Sequence, residues 1–463
     1  GLHRHGLTAP LLGRGPELAR LLDLVGPARP GTPAVGGALV LAPPGTGKTR
    51  LVTELAGLLG AAGRPCWTVR VGLAPGRGYD VLADLLAAAG LDREDPAPGR
   101  GGELVRALLA GDRLDAAPAD LYAAWTSLLD AVAPDAVWVV EDLHLAGPDL
   151  RAFLHHALAH PSGTAGTPGT PGAAGTAGRR VVLTARPGPL GPDALAGSPH
   201  VAVLALEPLS ADAARDLVEA FLGAGVLPER LLGAVVAASG GNPLFVEELV
   251  RSWIQTGLLH RADDGTWAFT GDAAGAPALP MTVQAIYQGQ LDVLPEPVRA
   301  VVEHGSVPGT TFPVAALAAL GVPDADQPLG ELTRVGLLVG PHEHAVGTDS
   351  YTYRHALLRD TAYGSLGRHR RAELHARFAR WIRALPGPLG TELAGTHLAL
   401  AHEVLPATRA GLDDGTTVAD LAREAASLLA DAADAAMVSA PQRAASLLTD
   451  ALALPAGTGA ERL

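Results

Sequence analysis

Two short stretches combine residue types and spacing that could do chemistry. The first is Ala42-Pro43-Pro44-Gly45-Thr46-Gly47-Lys48-Thr49-Arg50. It lies between the apolar run 38–41, which suits a buried strand, and a segment with Leu51, Val52, Leu55, Leu58 and Leu59 at helical spacing. Glycines let backbone N–H groups close around phosphate oxygens, and the following helix turns its positive dipole end toward the same anion. Pro44, Gly45, Thr46, Gly47 and Arg50 shape that cradle, Lys48 would reach the β- and γ-phosphates, and the Thr49 hydroxyl would sit on Mg²⁺. The glycine that usually opens such a loop is Ala42 here, a mild departure, because a loop start at negative φ accepts a Cβ.

The second stretch is 136–142, an apolar run ending in Glu141-Asp142. A buried parallel strand carries no charge inside, so carboxylates at its C-terminal end stand where open α/β sheets bind ligands. There they could hold hydrated Mg²⁺ and polarise an attacking water. A third run, 179–186, ends in Thr184-Ala185-Arg186, and Arg186 falls where a γ-phosphate sensor would stand, although a purely structural arginine fits equally.

Composition sharpens the first stretch. Lys48 is the only lysine, and the other 34 of 35 basic residues are arginine. Whatever bias replaced lysine elsewhere left it at the one place where a flexible ammonium does what a planar guanidinium cannot.

The elements that must position these groups read as strand, loop and helix, then further β-α alternation through a strand at 64–71 and helices at 79–90 and 119–132. That alternation implies a parallel sheet, the α/β class of P-loop NTPase domains. The span 161–178, rich in Gly, Thr and Pro, cannot bury a core and reads as a flexible insertion. From 207 helices take over at 210–223, 228–239 and 243–257, a helical lid. A hairpin turning at Asp264-Gly265, helices at 281–294, 296–304, 312–320 and 327–337, and a second hairpin to Thr352 suggest a winged-helix module. Residues 368–384 carry Arg368, His369, Arg370, Arg371, His375, Arg377, Arg380 and Arg383, a solvated face or a nucleic-acid contact without interleaved aromatics. The Ala- and Leu-rich helices from 390 onward resemble the first units of a helical-repeat array. The expected division is therefore 1–206 for nucleotide binding, 207–258 for the lid, 259–385 for the winged helix and 386–463 for TPR-like helices.

With 463 residues and a formal charge of −13, the chain can bury several cores but does not suit a nucleic-acid clamp as a whole. Its single cysteine, Cys66, reads as a small core residue in a reducing cytoplasm. No apolar run approaches bilayer length. The chain opens on Gly1 rather than Met and stops within the repeat-like helices, so a longer parent protein is expected.

An ordered set of segments resembles the STAND-type signal-transduction ATPases, and among them the ATPase modules of large actinobacterial LuxR-type and SARP-type transcription regulators. The set comprises Leu12-Gly13-Arg14 with Glu17-Leu18, the P-loop, Glu141-Asp142-Leu143-His144, Thr184 to Arg186, the stretch Gly241-Asn242-Pro243 through Glu248-Leu249, and Tyr353-Arg354-His355 through Asp360. The resemblance implies a switch between ADP-held and ATP-bound states. It places Gly13 and Arg14 near the adenine, Pro243 against the base, His355 on the ADP β-phosphate, and Arg186 as sensor. This chain departs from the family in having Glu141-Asp142 for two aspartates and Gly147 for a third, which puts metal geometry and hydrolysis in question.

The expected function is an ATP/ADP-binding switch controlling a transcriptional regulator, with Mg²⁺ held by Thr49, Glu141 and Asp142, and with hydrolysis slow or absent. A regulatory protein or small-molecule effector would act through the C-terminal helices, DNA through a domain outside this chain, and an oligomer in the ATP state stays open. The rivals are an AAA+ ATPase working in a ring, which needs an arginine finger in trans, and a DNA-binding winged helix using the arginines of 368–383.

Overall fold

The computed structural model describes residues 10–26, 36–72, 80–92, 99–110, 116–160, 178–187, 195, 197–270, 279–343, 349–385, 389–405, 411–437 and 440–455. Apart from Gly178, the predicted insertion at 161–178 lies outside them. The chain divides into two compact units.

The first unit comprises Gly1–Arg70, Ala133–His144 and Leu158–Gln290. Its centre is a five-stranded parallel sheet: β1 (Gly37–Leu41), β2 (Cys66–Arg70), β3 (Val137–Glu141), β4 (Arg180–Ala185) and β5 (Val201–Ala205), in the order β2-β3-β4-β1-β5. Strands of Val, Leu and Ala suit a sheet covered on both faces, and Ala38, Leu39 and Val40 are fully buried. One core joins these strands to the helices Gly15–Val25 and Lys48–Ala61 through Leu21, Val25, Leu51, Val52 and Leu55. Cys66 packs partly buried against it, as its apolar run suggested.

The strand order sets up the site. Because β4 pairs with both β1 and β3, the loop leaving β1 and the acids closing β3 flank the end of β4 at Thr184. Register pairs Arg70 with Glu141 across β2 and β3. Strand β5 is one the sequence reading did not assign. Behind it come the helices Ala211–Leu222, Glu229–Ser239 and Pro243–Gln255, and the hairpin β6 (Leu259–Arg261) and β7 (Trp267–Phe269), all where the periodicity and the Asp-Gly turn put them.

The second unit comprises Val71–Val132, Leu145–Ala157 and Leu291–Leu463. It holds the helices Asp80–Ala88, Arg100–Ala110 and Pro118–Val132, the second of which the sequence reading had not assigned. Further on, β8 (Thr311–Pro313), β9 (Leu338–Glu343) and β10 (Asp349–Tyr353) form an antiparallel sheet in the order β8-β10-β9. The helix expected at 312–320 begins only at Val314, because Thr311 and Phe312 pair with Thr352 and Tyr351 and Pro313 takes the N-cap. Pro313 has φ −73°, which suits both roles.

The arginine-rich helix Arg368–Arg383 then packs on Leu389–Val404, that helix on Val418–Ala436, and the last on Pro441–Ala453. Small residues such as Ala372, Ala394, Ala401 and Ala425 let the helices approach, and Leu374, Phe378, Leu398 and Leu421 fill the space between. Within this core, Tyr363 Oη lies 2.8 Å from His375 Nε2, and His375 Nδ1 lies 2.8 Å from His397 Nδ1. Burial, and for His375 also its histidine neighbour, drives both rings' pKa values down, His397 to about 3, so both are neutral near pH 7. No helix of the described residues is long and apolar enough to cross a membrane.

Candidate functional site

Residues 42–47 form the loop between β1 and the helix Lys48–Ala61, with Gly45 at φ +83° and Gly47 at φ +97°. Positive φ at both positions is what lets the backbone fold around an anion without a Cβ penalty. Lys48 begins the helix, and its Nζ donates to the carbonyls of Ala42 at 2.7 Å and Pro43 at 2.9 Å. Burial lowers its pKa to about 8, Arg186 adds to the effect, and Asp142 and Glu141 oppose it.

Thr49 Oγ1 donates to Glu141 Oε2 at 2.5 Å. Glu141 is 5 % exposed and ends β3, so it is Glu141 rather than Asp142 that faces the P-loop threonine. Asp142 follows with φ +59°, the one non-glycine residue with positive φ among those described, and its N–H donates to Thr184 Oγ1 at 3.2 Å. Aspartate tolerates this left-handed conformation better than most residues, and such backbone commonly marks a functional position. The Glu141 carboxylate is buried against Thr49, while the Asp142 side chain is 29 % exposed.

Arg70, at the end of β2, closes the cluster. Its Nη2 lies 3.1 Å from Glu141 Oε1 and its Nε 3.8 Å from Asp142 Oδ2. The sequence reading passed over Arg70. The signal was available, since a charged residue at the C-terminal end of a parallel strand is the same clue that singled out Glu141.

The start of the helix Pro243–Gln255 meets the loop. Asn242 caps the helix Pro243–Gln255 by accepting from Leu244 N–H at 3.0 Å, and its Nδ2 lies 3.4 Å from the Pro44 carbonyl. Leu244 N–H also reaches the Gly45 carbonyl at 3.2 Å. A Cβ at Gly45 would come within 2.7 Å of Asn242 Oδ1 and 2.9 Å of Leu244 Cβ, so glycine is required there by this contact as well as by φ. Pro243 occupies the first turn of that helix. Gly241 meets the Leu209 backbone so closely that a Cβ would lie 2.3 Å from its carbonyl oxygen. On the other side Arg14 is buried, its guanidinium on the Thr46 carbonyl at 3.2 Å, the Glu207 carbonyl at 2.7 Å and Glu17 at 2.8 Å. Gly13 sits beside Ala213 and Leu209 at φ +63°.

Lys48, Thr49, Glu141, Asp142, Thr184 and Arg186 are thus gathered at one sheet end, framed by Arg14 and Asn242. Arg50 stands apart, more than half exposed and 3.9 Å from Glu54. His355 belongs to the second unit, at the N-cap of the helix Ala356–Ser365. The hydroxyl of Thr49 and the carboxylate of Glu141 are hard oxygen donors within contact of one another, which suits Mg²⁺.

Residues 10–168 match the AAA ATPase domain family, and residues 210–266 match a family described as Domain of unknown function (DUF8739). No curated protein matches the chain. Among solved structures, the chain resembles the Signal Transduction ATPase with Numerous Domains (STAND) protein with a tetratricopeptide repeat sensor from Pyrococcus horikoshii, with TM-score 0.51 and 14 % identity. That match takes in 96 % of this chain and 59 % of the other, so the chain spans about three-fifths of that protein's length. A fainter likeness, to Cdc6p from Pyrobaculum aerophilum, has TM-score 0.37 and 14 % identity over 80 % of this chain and 95 % of the other, too distant to carry an argument. Residues 10–168 thus match an AAA ATPase domain, and the chain shares the fold of a STAND ATPase with a tetratricopeptide repeat sensor.

Proposed function

We propose that the chain is an ATP/ADP-binding switch, the core of a transcriptional regulator, in which hydrolysis is slow or absent. The observation that carries this reading is the seating of Asn242 and Leu244 on the P-loop at Pro44 and Gly45. A nucleotide that reshapes the loop must work with or against the lid, so loop state and lid state are coupled. The driving force is differential affinity, because a nucleotide that bound both arrangements equally would shift neither.

In this reading Lys48 and the loop N–H groups hold the phosphates, Thr49 and Glu141 hold Mg²⁺, and Asp142 orients water. Mg²⁺ supplies neutralisation of phosphate charge when bound. Gly13 and Arg14 border the base, Pro243 packs on it, Arg186 senses the γ-phosphate, and His355 reports the β-phosphate. The domains are 1–206 for nucleotide binding, 207–258 for the lid, 259–385 as winged helix and 386–463 as TPR-like helices. The helix, strand, two helices and hairpin over 296–353 support the winged-helix assignment. A regulatory protein or small effector acts through the C-terminal helices, DNA is contacted through a domain outside these residues, and the setting is the cytoplasm.

The ring-motor alternative draws on Asp142, whose backbone N–H bonds Thr184 Oγ1 and whose carboxylate would have to activate water. Steady ATP turnover rising with assembly would favour it. The DNA-binding alternative loses its motive, because several arginines of 368–383 are engaged within the chain: Arg380 with Asp414 and Arg383 with Glu424, each at 2.6 Å, and Arg370 with Glu373 at 3.1 Å.

The test is to denature the purified chain and identify what it releases. ADP in near-stoichiometric amount, absent from Lys48→Ala, is the expected result. If neither protein carries nucleotide and neither binds added ADP or ATP, the switch reading fails.

A further inference from the structure

Arg70 stands where a cation is needed. Glu141 and Asp142 bring two carboxylates to one sheet end, and Glu141 is almost wholly buried. Thr49 satisfies Glu141 Oε2, leaving Oε1 to Arg70 Nη2 at 3.1 Å, while Arg70 Nε faces Asp142 Oδ2 at 3.8 Å. One guanidinium thus spans both acids, and it approaches them from a strand register that pairs Arg70 directly with Glu141. Its side chain is 54 % exposed, so solvent reaches the guanidinium. A charge held this way is poised to leave when a stronger cation arrives.

We infer that Arg70 is a built-in counter-ion that competes with the divalent metal for the Glu141-Asp142 pair, and so weakens the dependence of nucleotide binding on Mg²⁺. This rests on the nucleotide-switch reading and adds a regulation to it. Without metal, the guanidinium keeps the two acids from repelling the phosphates of a nucleotide diphosphate. With metal, the same guanidinium must be displaced from at least Glu141. Both effects act in one direction: they favour the metal-free nucleotide complex relative to the metal-bound one. Because coupling between two ligands is reciprocal, the quantity to read is the ratio of ADP dissociation constants without and with Mg²⁺.

The experiment is calorimetric titration of ADP into the full chain, in chelator and in saturating Mg²⁺, for wild type, Arg70→Ala and Arg70→Lys. The expected result is a metal-free to Mg²⁺ ratio larger in R70A than in wild type by roughly two- to fivefold, the scale of one charge pair near solvent. R70K, which keeps a positive charge but not the fork, should fall between them. A ratio unchanged or smaller in R70A overturns the inference. An unchanged ratio would make Arg70 a solvated ion pair, and a smaller one would make it a support that orients Glu141 for the metal. Wild-type protein that binds no ADP under either condition overturns the switch reading itself, and the two failures are therefore told apart by the wild-type titration alone.

Discussion

The nucleotide site and the helix Arg368–Arg383 are two places where this chain concentrates charge, and they use it in opposite ways. At the sheet end, Lys48 is bonded to the loop's own carbonyls, which phosphate oxygens could replace, and Arg70 to Glu141 and Asp142, from which a metal could displace it. On the arginine-rich helix, Arg380 and Arg383 meet Asp414 and Glu424, and Arg371 meets the carbonyls of Gly364 and Leu366, partners fixed in neighbouring elements of the same core. Beneath them the polar groups are neutral and enclosed, as Tyr363, His375 and His397 show. The difference teaches that a run of basic residues is informative about ligands only through what its partners are. One lysine with replaceable partners says more than several arginines paired with acids and carbonyls of their own chain.

Removing Lys48 should show the contrast at its largest. Lys48→Ala deletes a charge-assisted contact to phosphate, and ADP affinity by titration should fall about 100-fold. The free protein should respond in the other sense. The folded pKa is lowered to about 8 against 10.5 unfolded, so between those values the unfolded chain holds more protons and stability rises with pH. Lys48→Met should abolish that component, on the order of 3 kcal/mol at most, read as the difference between variant and wild-type urea unfolding at pH 7.5 and pH 10. A site that merely buried its lysine as scaffold would lose stability in the variant and show no change in ADP binding.

The histidine pair should fail in the opposite direction and at the other end of the pH scale. His397 has a folded pKa of about 3 against an unfolded 6.5, so the unfolded chain holds more protons in that window and stability falls as pH drops below 6.5. By pH 5 the loss is about 2 kcal/mol from His397 alone. His397→Leu should lower stability at pH 7.5 by about 1–3 kcal/mol, because His375 Nδ1 is left unpaired, yet lose less on acidification. Equal acid sensitivity in variant and wild type, measured by urea unfolding, would remove the buried pair from the account.

Asn242→Ala tests whether the lid's hold on the P-loop matters beyond capping. Loss of the cap should cost about 1 kcal/mol of stability. If the contact to the Pro44 carbonyl also couples lid and loop, the ratio of ATP to ADP affinity should shift by roughly twofold or more, which loss of a cap alone would not produce. Stability and the two affinities, measured on the same protein, separate the cases.

How far the sequence could be read follows from how local each feature is. The P-loop is legible because its chemistry is spelled in eight consecutive residues, and the lone lysine marks it again. The choice of Glu141 over Asp142 as Thr49's partner is not, because it depends on the strand ending at Glu141 and on the turn to φ +59° that follows. Arg70 was hidden for a related reason: its meaning comes from the register of β2 on β3, a pairing of residues 71 positions apart. The helix Arg100–Ala110 contains two glycines in its first turn, which weaken any propensity signal, and β5 is a five-residue strand, too short for its apolar run to tell strand from helix by period. The pairing of the arginine-rich helix was equally out of reach, since Asp414 and Glu424 lie more than thirty residues downstream and carry no motif.

The smallest expected effect is on that helix, and it decides between the two uses of charge. Both Arg380 and Arg383 are about half exposed, so each ion pair sits in high dielectric and each side chain gives up rotamer freedom to hold it. Arg380→Ala and Arg383→Ala should each lower stability by about 0.2–1 kcal/mol, and the double variant by about the sum, with ADP affinity unchanged. The same double variant tests the nucleic-acid alternative. If these guanidiniums serve DNA, wild-type protein should bind duplex with a salt dependence that flattens by about two counterions on their removal. If their partners are Asp414 and Glu424, no such slope exists to flatten, and the only consequence of the double change is a small, salt-sensitive drop in the unfolding midpoint.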